Sequence, residues 1–326
     1  MKILILGGAG MIGQKLLSLI LQKKEIKSKK VSEITLFDII NAPYPENSSI
    51  PIITKSGDIS DPKVSNDLIL SKPDIIFHLA AIVSGQAEQE FDLGWNINTR
   101  GSWGLFEAIR SQGDSYCPRV VFTSSIAVFG DKAPLTKTPQ SAFLNPSTVY
   151  GISKAAGENW AQYYFTKYGL DIRSIRYPGI IGYQSMPGGG TTDYAVDIYH
   201  SAVKNEVFSC FLDSETKLPM MFMNDAVRST IELMKSPIEN INTRTSYNLA
   251  GMSFSPNEIY KEIKKSYPSF RIEYKIDFRQ TIADKWPKSI DDNEARNDWG
   301  WKPKYNLTSM TFIMLEKLKE IYNKTD

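Results

Sequence analysis

Two side chains four positions apart give the strongest chemical signal in the sequence. Tyr150 and Lys154 stand at positions i and i+4 of a segment with helical periodicity, so both lie on one face about a turn apart. A phenol has an ordinary pKa of about 10, and its use as a base near pH 7 requires roughly 4 kcal/mol of extra stabilisation of the phenolate. A neighbouring ammonium and a cationic cofactor ring can supply that stabilisation. The pair therefore predicts proton transfer to or from a reacting group.

Ser125 adds a third polar group to this pair. It follows the apolar segment Val120–Thr123 and stands 25 positions before Tyr150, where its hydroxyl can bind the oxygen of a reacting alcohol. A tyrosine and a lysine four residues apart are often a coincidence, but a hydroxyl at the end of a preceding strand favours catalysis. We therefore expect Ser125, Tyr150 and Lys154 to interconvert an alcohol and a carbonyl.

A glycine-rich turn near the first residue predicts a dinucleotide site. The segment Gly7-Gly8-Ala9-Gly10-Met11-Ile12-Gly13 directly follows the predicted strand Ile3–Leu6 and opens a helix. Glycine at these points permits a tight turn, close approach of a pyrophosphate to backbone N–H groups, and packing of the helix on the strand. The strand before it and the helix after it distinguish this turn from a glycine triplet of purely steric origin.

Asp38 ends the second predicted strand, where a carboxylate can accept hydrogen bonds from a ribose diol. It would repel a 2′-phosphate, and the following Ile39–Asn41 contains no arginine to bind one, so NAD is favoured over NADP. The alternative interpretation is a surface aspartate at a strand end. Asp58 is expected on the adenine side, and residues 79–81, which end a third strand, are expected along the path of the cofactor.

The second half of the sequence contains a glycine-rich loop, Pro187–Tyr194, that leads into a helix. Its threonines and Asp193 are typical helix caps. Exposed N–H groups and hydroxyls at a helix N-terminus suit a small anion, such as a substrate carboxylate. A mobile loop with an ordinary cap is the alternative, and the residues alone leave both open.

The elements that must position these residues alternate between apolar strands and amphipathic helices, which is typical of a parallel sheet covered on both faces. We predict strands at Ile3–Leu6, Ile34–Phe37, Ile75–Leu79, Val120–Thr123 and Ile172–Arg176, and helices at Gln14–Gln22, Val64–Leu70, Ile97–Ser111 and Gly151–Tyr168. The fold class is therefore α/β, a Rossmann-type doubly wound parallel sheet with a smaller C-terminal substrate lobe. We assign residues 1–178, with a return segment at about 222–250, to the NAD-binding domain, and 179–221 and 251–326 to the substrate lobe.

Composition excludes several classes of protein. The net charge of +2, from 38 basic and 36 acidic residues, is too small for a dedicated nucleic-acid or anionic-membrane surface. Two histidines and two cysteines do not readily assemble a zinc site, so no metal is expected. Cys117 and Cys210 form no spaced pair, and the sequence contains no run of about 18 apolar residues and no cleavage-site pattern. We expect a cytoplasmic protein with a small-molecule substrate.

Four segments carry a resemblance to a known family, the extended short-chain dehydrogenases/reductases: Phe77–Ala81, Asn98–Gly101, Ser124–Gly130 and Tyr150–Lys154. The resemblance implies Ser125 as donor to the substrate oxygen, Tyr150 as acid/base, Lys154 bonded to the nicotinamide ribose, and Asn98 in a structural or proton-relay role. The complete set of expected NAD contacts is Gly7, Gly10, Met11, Ile12, Gly13, Asp38, Asp58, Ile59, Leu79, Ala80, Ala81, Asn98, Tyr150, Lys154, Tyr177 and Pro178.

The second half resembles one branch of that family, the short-chain-type L-threonine 3-dehydrogenases. The segments that carry this resemblance are Arg176–Gly179, Pro187–Tyr194, Leu218–Met223, Ser246–Gly251, and Phe278–Gln280 through Ile282–Pro287 to Asp298–Trp301. The branch implies oxidation of L-threonine at C3, with Gly189 and Thr191 at the substrate and Trp286 near the pocket. It also implies a homodimer formed through helices near 98–111 and 150–166.

The first half is less uniform in its resemblance. Ile82–Glu88 and Phe91–Gly94 look more like sugar-acid dehydrogenases of the erythronate type, and Ser84 lies where either kind of enzyme would touch its substrate. The glycine loop and Trp286 belong to the substrate lobe, so L-threonine is favoured over D-erythronate. Nucleotide-sugar epimerases and an NAD-binding regulatory protein without turnover are the remaining alternatives. The expected substrate contacts are Ser84, Ser124, Ser125, Tyr150, Gly189, Thr191 and Trp286.

Overall fold

A computed structural model describes residues 1–184 and 188–323 of the chain. Its strands are β1 Lys2–Leu6, β2 Glu25–Ile26, β3 Lys29–Lys30, β4 Glu33–Asp38, β5 Ile52–Ser56, β6 Ile75–His78, β7 Arg119–Ser125, β8 Ile172–Tyr177, β9 Gly179–Ile181, β10 Phe208–Cys210, β11 Leu218–Phe222, β12 Tyr247–Asn248, β13 Met252–Phe254 and β14 Ile272–Tyr274. Its α-helices are α1 Met11–Lys23, α2 Pro62–Ile69, α3 Ser84–Gln89, α4 Phe91–Trp95, α5 Ser102–Arg110, α6 Val149–Tyr168, α7 Tyr194–Val203, α8 Met223–Lys235, α9 Pro256–Lys264, α10 Arg279–Ala283, α11 Asn293–Trp299 and α12 Leu307–Tyr322.

The central sheet has the strand order β12-β8-β7-β6-β1-β4-β5 within the described residues, and every neighbouring pair is parallel. Its inner strands β1, β6, β7 and β8 are buried on both faces, as in other doubly wound sheets. Helices α1 and α8 pack on one face and α2, α5 and α6 on the other. The predicted α/β, doubly wound Rossmann-type fold is therefore confirmed. All carboxyl ends of these strands meet at one edge, which is where such folds bind ligands.

The predicted elements differ from the observed ones mainly at their ends. Strand β7 extends to Ser125, so that residue ends the strand instead of following it. The helix predicted at Ile97–Ser111 is divided into a π-helical turn, Asn96–Gly101, and α5. Strand β5 was not predicted, because an edge strand with exposed polar residues shows little apolar periodicity.

The remaining elements form a second layer beyond this edge of the sheet. Strands β9, β11 and β13 form a small sheet, β10 pairs with β14, and helices α7, α9 and α12 pack together around an apolar core. Strand β11, which contains two of the methionines of the segment Leu218–Met223, is fully buried. Helix α8 packs on β7 and β8, and β12 extends the central sheet, so both elements of the predicted return segment contact the first domain. The exact lobe boundaries stay a prediction.

Candidate active site

The glycine turn between β1 and α1 lies against the end of β6. Gly7 has φ +83°, and a Cβ at this position would lie 2.7 Å from the backbone nitrogen of Ala80. A Cβ on Gly13 would clash with the carbonyl of Gly7, so Gly13 closes the turn by packing. Asp38 holds the turn from β4, since its carboxylate accepts a hydrogen bond from Ala9 N at 2.9 Å. The turn is therefore shaped by backbone contacts that only glycine permits.

A cavity of about 600 Å³ lies in front of this turn. Its wall contains half of the residues that we expect to contact a dinucleotide: Gly7, Gly10, Asp38, Asp58, Ile59, Leu79, Ala80 and Ala81. A glycine cradle, two carboxylates and an apolar surface suit a pyrophosphate, ribose diols and an adenine ring. The residues present therefore fit a dinucleotide cofactor.

A second cavity, of about 220 Å³, shares Leu79 and Ala81 with the first. It contains another part of the predicted set: Met11, Ile12, Ser84, Ser124, Ser125, Tyr150, Lys154, Tyr177, Pro178 and Trp286. The structure thus brings together residues from the glycine turn, from the ends of β7 and β8 and from α6. It adds residues from the segment that follows β8, which we call the C-terminal part. Two adjoining cavities of this kind can hold a cofactor and a small substrate side by side.

Helix α6 carries Tyr150 and Lys154 into the second cavity. Thr148 caps the helix by accepting a hydrogen bond from Gly151 N at 3.0 Å. Gly151 lies so close to Ala127 that a Cβ would clash with the Ala127 carbonyl oxygen. This contact places the start of α6 against the segment that follows β7, and hence places Tyr150 beside Ser125.

Lys154 is buried and its Nζ donates a hydrogen bond to the carbonyl oxygen of Thr123 at 2.8 Å. The same Nζ lies 5.6 Å from the centre of the Tyr150 ring. The bond to Thr123 ties the ammonium to β7, directly before Ser125. The three predicted catalytic groups therefore occupy one small volume.

Burial dominates the electrostatics of this group. It raises the pKa of Tyr150, while the Ser125 hydroxyl lowers that pKa to a smaller extent. Burial also lowers the pKa of Lys154 to about 7. Burial disfavours the Tyr150 phenolate alone and the Lys154 ammonium alone. The two charged groups together are favoured, because opposite charges attract strongly in a medium of low polarity. Proton uptake by Lys154 and proton loss by Tyr150 are thus coupled.

Asn98 and His78 are not among the described residues that line the two cavities. The Asn98 amide donates to the carbonyl of Ile82 at 2.9 Å and accepts from Ile82 N at 2.8 Å, which fixes the chain after β6. His78 Nε2 contacts Ser102 Oγ at 2.9 Å, and burial lowers the pKa of His78 to about 3, with a smaller contribution from Lys154. His78 is therefore a neutral, packed residue at the end of strand β6.

The glycine loop before α7 departs from the prediction in two ways, and its first residue, Pro187, lies outside the described residues. Gly190 and Thr192 line the second cavity, whereas Gly189 and Thr191 are not in the described part of its wall. Thr191 is buried with its Oγ1 3.4 Å from Ser84 Oγ. The loop therefore places Gly190 and Thr192, instead of the predicted Gly189 and Thr191, in the described wall of this cavity.

The predicted anion site on this loop is not available in the structure. The backbone N–H groups of Gly189 and Gly190 donate to the carboxylate of Asp193 at 2.8 and 2.6 Å. Asp193 is only three or four residues further along the chain, so its own carboxylate reaches these donors at little entropic cost. It does not cap α7 as predicted, because its side chain bonds to the loop before it. The loop N–H groups are therefore occupied by an anion of this chain.

Ser124 also has a partner that the sequence did not reveal. Its hydroxyl donates to Glu158 at 2.5 Å, and Glu158 forms a buried ion pair with Arg176 at 2.8 Å. Ser124 lies in the cavity wall, but its hydroxyl proton is donated to Glu158 and is not directed at a ligand. Trp286 is buried in the core of the C-terminal part and lines the same cavity.

Sequence reasoning missed several residues of both walls. The wall of the first cavity also contains Ile39, Ile40, Ile82, Gln86, Leu93 and Ile97. The wall of the second also contains Val83, Thr123, Ile126, Gly179, Ile180, Gly190, Thr192 and Asp193. Many of these residues lie at the carboxyl end of a parallel strand or in the loop after it, and that position is the signal that could have found them.

Two further structural searches bear on the class of protein. No helix in residues 1–184 and 188–323 combines the length and apolar character needed to cross a membrane. No three His, Cys, Asp or Glu side chains of those residues come together in a group that could hold a metal ion.

A doubly wound sheet with a glycine cradle, and with a serine, a tyrosine and a lysine at its carboxyl edge, defines an enzyme of the extended short-chain dehydrogenase/reductase class. Comparison with known families agrees. The chain belongs to the NAD dependent epimerase/dehydratase family, whose model matches residues 3–250. It is therefore an enzyme that uses a nicotinamide cofactor.

Two curated relatives of the chain are described as uncharacterized epimerases/dehydratases. One is an uncharacterized epimerase/dehydratase of Staphylococcus haemolyticus strain JCSC1435, 44% identical over 250 residues, which are 76% of this chain and 77% of the relative. Another, from Staphylococcus aureus strain MRSA252, is 39% identical over 322 residues, which are 98% of this chain and 97% of the relative.

Solved structures that match the chain include enzymes with a named substrate. A holo-form L-threonine dehydrogenase from Cupriavidus necator is 40% identical, with a TM-score of 0.90 over 98% of this chain and 100% of that one. A monomeric L-threonine 3-dehydrogenase from a metagenome is also 40% identical, with a TM-score of 0.88 over 98% and 99% of the two chains. A nucleoside-diphosphate-sugar epimerase from Agrobacterium tumefaciens is 29% identical, with a TM-score of 0.89 over 97% and 94%. The fold is thus shared by dehydrogenases and epimerases.

The buried pair of Glu158 and Arg176 gives a stability prediction. Glu158→Gln keeps the shape of the side chain but leaves the Arg176 guanidinium buried without a counter-charge, which should cost about 3–5 kcal/mol of unfolding free energy. Glu316→Gln is the matched control, since its pair with Lys319 is exposed and is worth less than about 1 kcal/mol. Urea denaturation measures both. Equal losses in the two variants would contradict this account.

Proposed function

We propose that the chain is an NAD-dependent dehydrogenase that oxidises L-threonine at C3 to 2-amino-3-oxobutyrate. The observation that carries the proposal is that Ser125, Tyr150 and Lys154 line a small cavity, which adjoins the larger cavity at the glycine turn. The solved L-threonine dehydrogenases that this chain matches along 98% of its length support the choice of substrate.

The chain supplies proton transfer and orientation for this reaction. L-Threonine and NAD⁺ give 2-amino-3-oxobutyrate, NADH and a proton. Ser125 donates a hydrogen bond to the C3 oxygen, and Tyr150 accepts the C3 hydroxyl proton as general base. Lys154 favours the phenolate through its positive charge. A nicotinamide cofactor held by these residues would supply the hydride acceptor for the oxidation at C3.

The preference for NAD over NADP rests on Asp38. Its carboxylate lines the first cavity and is fixed there by Ala9 N and Ile39 N, at 2.9 and 2.7 Å. A fixed carboxylate accepts a ribose diol and repels a 2′-phosphate. Asp58 and Ile59 share the same wall and would contact the adenosine half.

The size of the second cavity favours a small substrate. About 220 Å³ is below the roughly 300–1,000 Å³ of sites that hold drug-sized ligands, a range that would suit a nucleotide sugar. A sugar acid such as D-erythronate would fit by size, and Ser84 in the wall is compatible with it. Around the substrate we assign contacts to Ser84, Gly190, Thr192 and Trp286.

We also propose a homodimer. Large aromatic side chains lie exposed on the helical face formed by α4, α5 and α6, which pack against one another. These are Trp95, Trp103, Trp160 and Tyr163. Exposed aromatic groups on one face are typical of an interface between subunits. The cytoplasmic location and the absence of a nucleic-acid partner, which composition predicts, stay predictions.

A panel of substrates and cofactors tests the proposed function. Purified protein is given L-threonine, D-erythronate or UDP-galactose with NAD⁺ or NADP⁺, and the absorbance of the reduced nicotinamide is followed. We expect rapid NADH formation from L-threonine, little from D-erythronate and none from UDP-galactose. NAD⁺ should be preferred by at least about tenfold, since a like charge beside the 2′-phosphate is costly. Faster oxidation of D-erythronate than of L-threonine would replace the proposed substrate.

Tyr150→Phe tests the proton acceptor. The ring that packs in the wall remains and only the hydroxyl is lost, so the rate with L-threonine should fall at least about 100-fold while NADH binds with unchanged affinity. Tyr168→Phe is a control on the same helix, because Tyr168 is a partly exposed residue that lines neither cavity. A Tyr150 variant that keeps more than about a tenth of the rate would show that another group accepts the proton.

Light scattering tests the dimer. The expected mass is about twice the 36.8 kDa of one chain, and Trp160→Glu should reduce it to one chain because a charge would be buried in the interface. A native protein with the mass of a single chain, like the monomeric metagenome enzyme, would rule the dimer out.

A further inference from the structure

The amino edge of the central sheet, opposite the proposed active site, holds a third cavity of about 520 Å³. Its wall includes Ile75 and Arg119, which begin β6 and β7, and Asp171, which directly precedes β8. None of its described lining residues belongs to the walls of the first two cavities. A ligand in this cavity would therefore be separated from the proposed active site by the length of the central strands.

A run of lysines in the sequence comes to lie beside this third cavity. The run consists of Lys23, Lys24, Lys27, Lys29 and Lys30. Two of them, Lys27 and Lys29, line the cavity from the hairpin that β2 and β3 form. Lys27 has φ +51° and Ser28 has φ +58°, the left-handed conformation that two-residue hairpin turns require. Asparagine and glycine favour that conformation, so the turn itself does not explain a lysine at this position.

The cations of the hairpin lack a counter-charge. Lys27, Lys29 and Arg119 line the cavity beside two carboxylates, those of Asp74 and Asp171. No carboxylate in residues 1–184 and 188–323 lies within ion-pair distance of either lysine. Asp74 accepts a hydrogen bond from the first backbone N–H group of β1 at 2.6 Å, which holds its carboxylate against the sheet.

Asp171 is engaged by arginines and does not balance the lysines. Its carboxylate accepts hydrogen bonds from Arg119 at 2.8 Å and from Arg173 at 2.9 and 2.8 Å. The guanidinium of Arg244 lies 3.4 Å from the same carboxylate. Three guanidinium groups thus share one carboxylate, so the local charge is positive even before the lysines are counted.

The C-terminus of helix α8 explains the arginines but not the lysines. Arg119 donates a hydrogen bond to the carbonyl of Met234 at 2.7 Å, and Arg173 donates to that of Ser236 at 2.6 Å. Cations at these carbonyls are favoured because the C-terminus is the negative end of the helix dipole. The Nζ of Lys27 lies 3.5 Å from the Ser236 carbonyl, which Arg173 already occupies more closely.

The surroundings of Lys27 disfavour its positive charge. Partial burial is the main cause that lowers the pKa of its ammonium, and the guanidinium groups of Arg119 and Arg173 lower it further. Asp171 and Glu239 raise it to a smaller extent. An anion bound between Lys27 and Arg119 would offset this repulsion, and the same attraction would favour binding of the anion.

We propose that the third cavity binds a small molecule that carries a phosphate group. Ammonium and guanidinium groups are the usual partners of phosphate oxygens, and here Lys27 and Lys29 approach from the hairpin and Arg119 from the sheet. The side chains of Ile26 and Ile75 give the wall an apolar part that suits the organic portion of such a molecule. The volume lies within the roughly 300–1,000 Å³ of small-molecule sites. The proposal does not depend on the proposed substrate.

Calorimetric titration with two probes tests the site. The protein is first saturated with NADH, so that the glycine turn is occupied, and is then titrated with sodium pyrophosphate or with ADP at constant ionic strength. Two or three hydrogen bonds between charged groups are enough for a dissociation constant below about 1 mM. Binding of pyrophosphate alone supports an inorganic ligand, and tighter binding of ADP supports an organic phosphate whose apolar part contacts the wall.

Two variants in the cavity are compared with one beside it. Lys27→Asn removes a cation and keeps the turn, because asparagine tolerates the left-handed conformation, and Lys29→Gln leaves the turn untouched. Each should raise the dissociation constant of pyrophosphate at least about tenfold, as expected for loss of a charged hydrogen bond. Lys24→Asn is the matched control, since Lys24 also has a positive φ, of +56°, but does not line the cavity. It should change that constant less than about twofold.

Three results would overturn the proposal. The first is the absence of saturable binding with both probes. The second is an equal loss of affinity in Lys24→Asn and Lys27→Asn, because only the overall charge of the hairpin would then matter. The third is unchanged affinity in both Lys27→Asn and Lys29→Gln, because the phosphate would then bind elsewhere on the protein.

Discussion

The geometry of the proposed active site depends on the contact between the start of helix α6 and the end of strand β7. Gly151 lies against the carbonyl of Ala127, and Lys154 donates to the carbonyl of Thr123 at 2.8 Å. These two backbone contacts fix both the depth and the rotation of the helix. Tyr150 directly precedes the first anchored position, and its hydroxyl lies beside that of Ser125. A side chain at Gly151 would push the helix away, so this glycine is as necessary to the site as the polar residues.

Most of the first domain follows from the sequence because its strands are continuous apolar runs that end in polar residues. Because the strands are parallel, their carboxyl ends lie at the same edge of the sheet. The strand pattern alone therefore places Asp38, His78 and Ser125 at that edge, and no prediction of long-range contacts is needed. The loop before α7 was less predictable. The competition between an external anion and Asp193 for the same N–H groups depends on the path of the backbone, which composition and spacing do not fix. The partner of Ser124 was missed for the same reason.

The fold alone does not choose between dehydrogenation and epimerisation, since solved structures of both kinds match this chain with TM-scores of 0.90 and 0.89. The choice depends on what the C-terminal part adds to the shared catalytic group. In this chain it adds a small cavity, an indole from Trp286 and a carboxylate from Asp193. These additions, and not the shared fold, are what link the proposed small substrate to the structure.

Transfer of a labelled hydrogen tests the central claim most directly. Native enzyme is incubated with NAD⁺ and L-threonine deuterated at C3, and the reduced cofactor is isolated and examined by mass spectrometry and NMR. Direct hydride transfer from C3 predicts that each NADH formed carries one deuterium on the nicotinamide ring. Unlabelled NADH, or recovery of the deuterium in water or in an epimerised product, would contradict oxidation of L-threonine at C3 by this site.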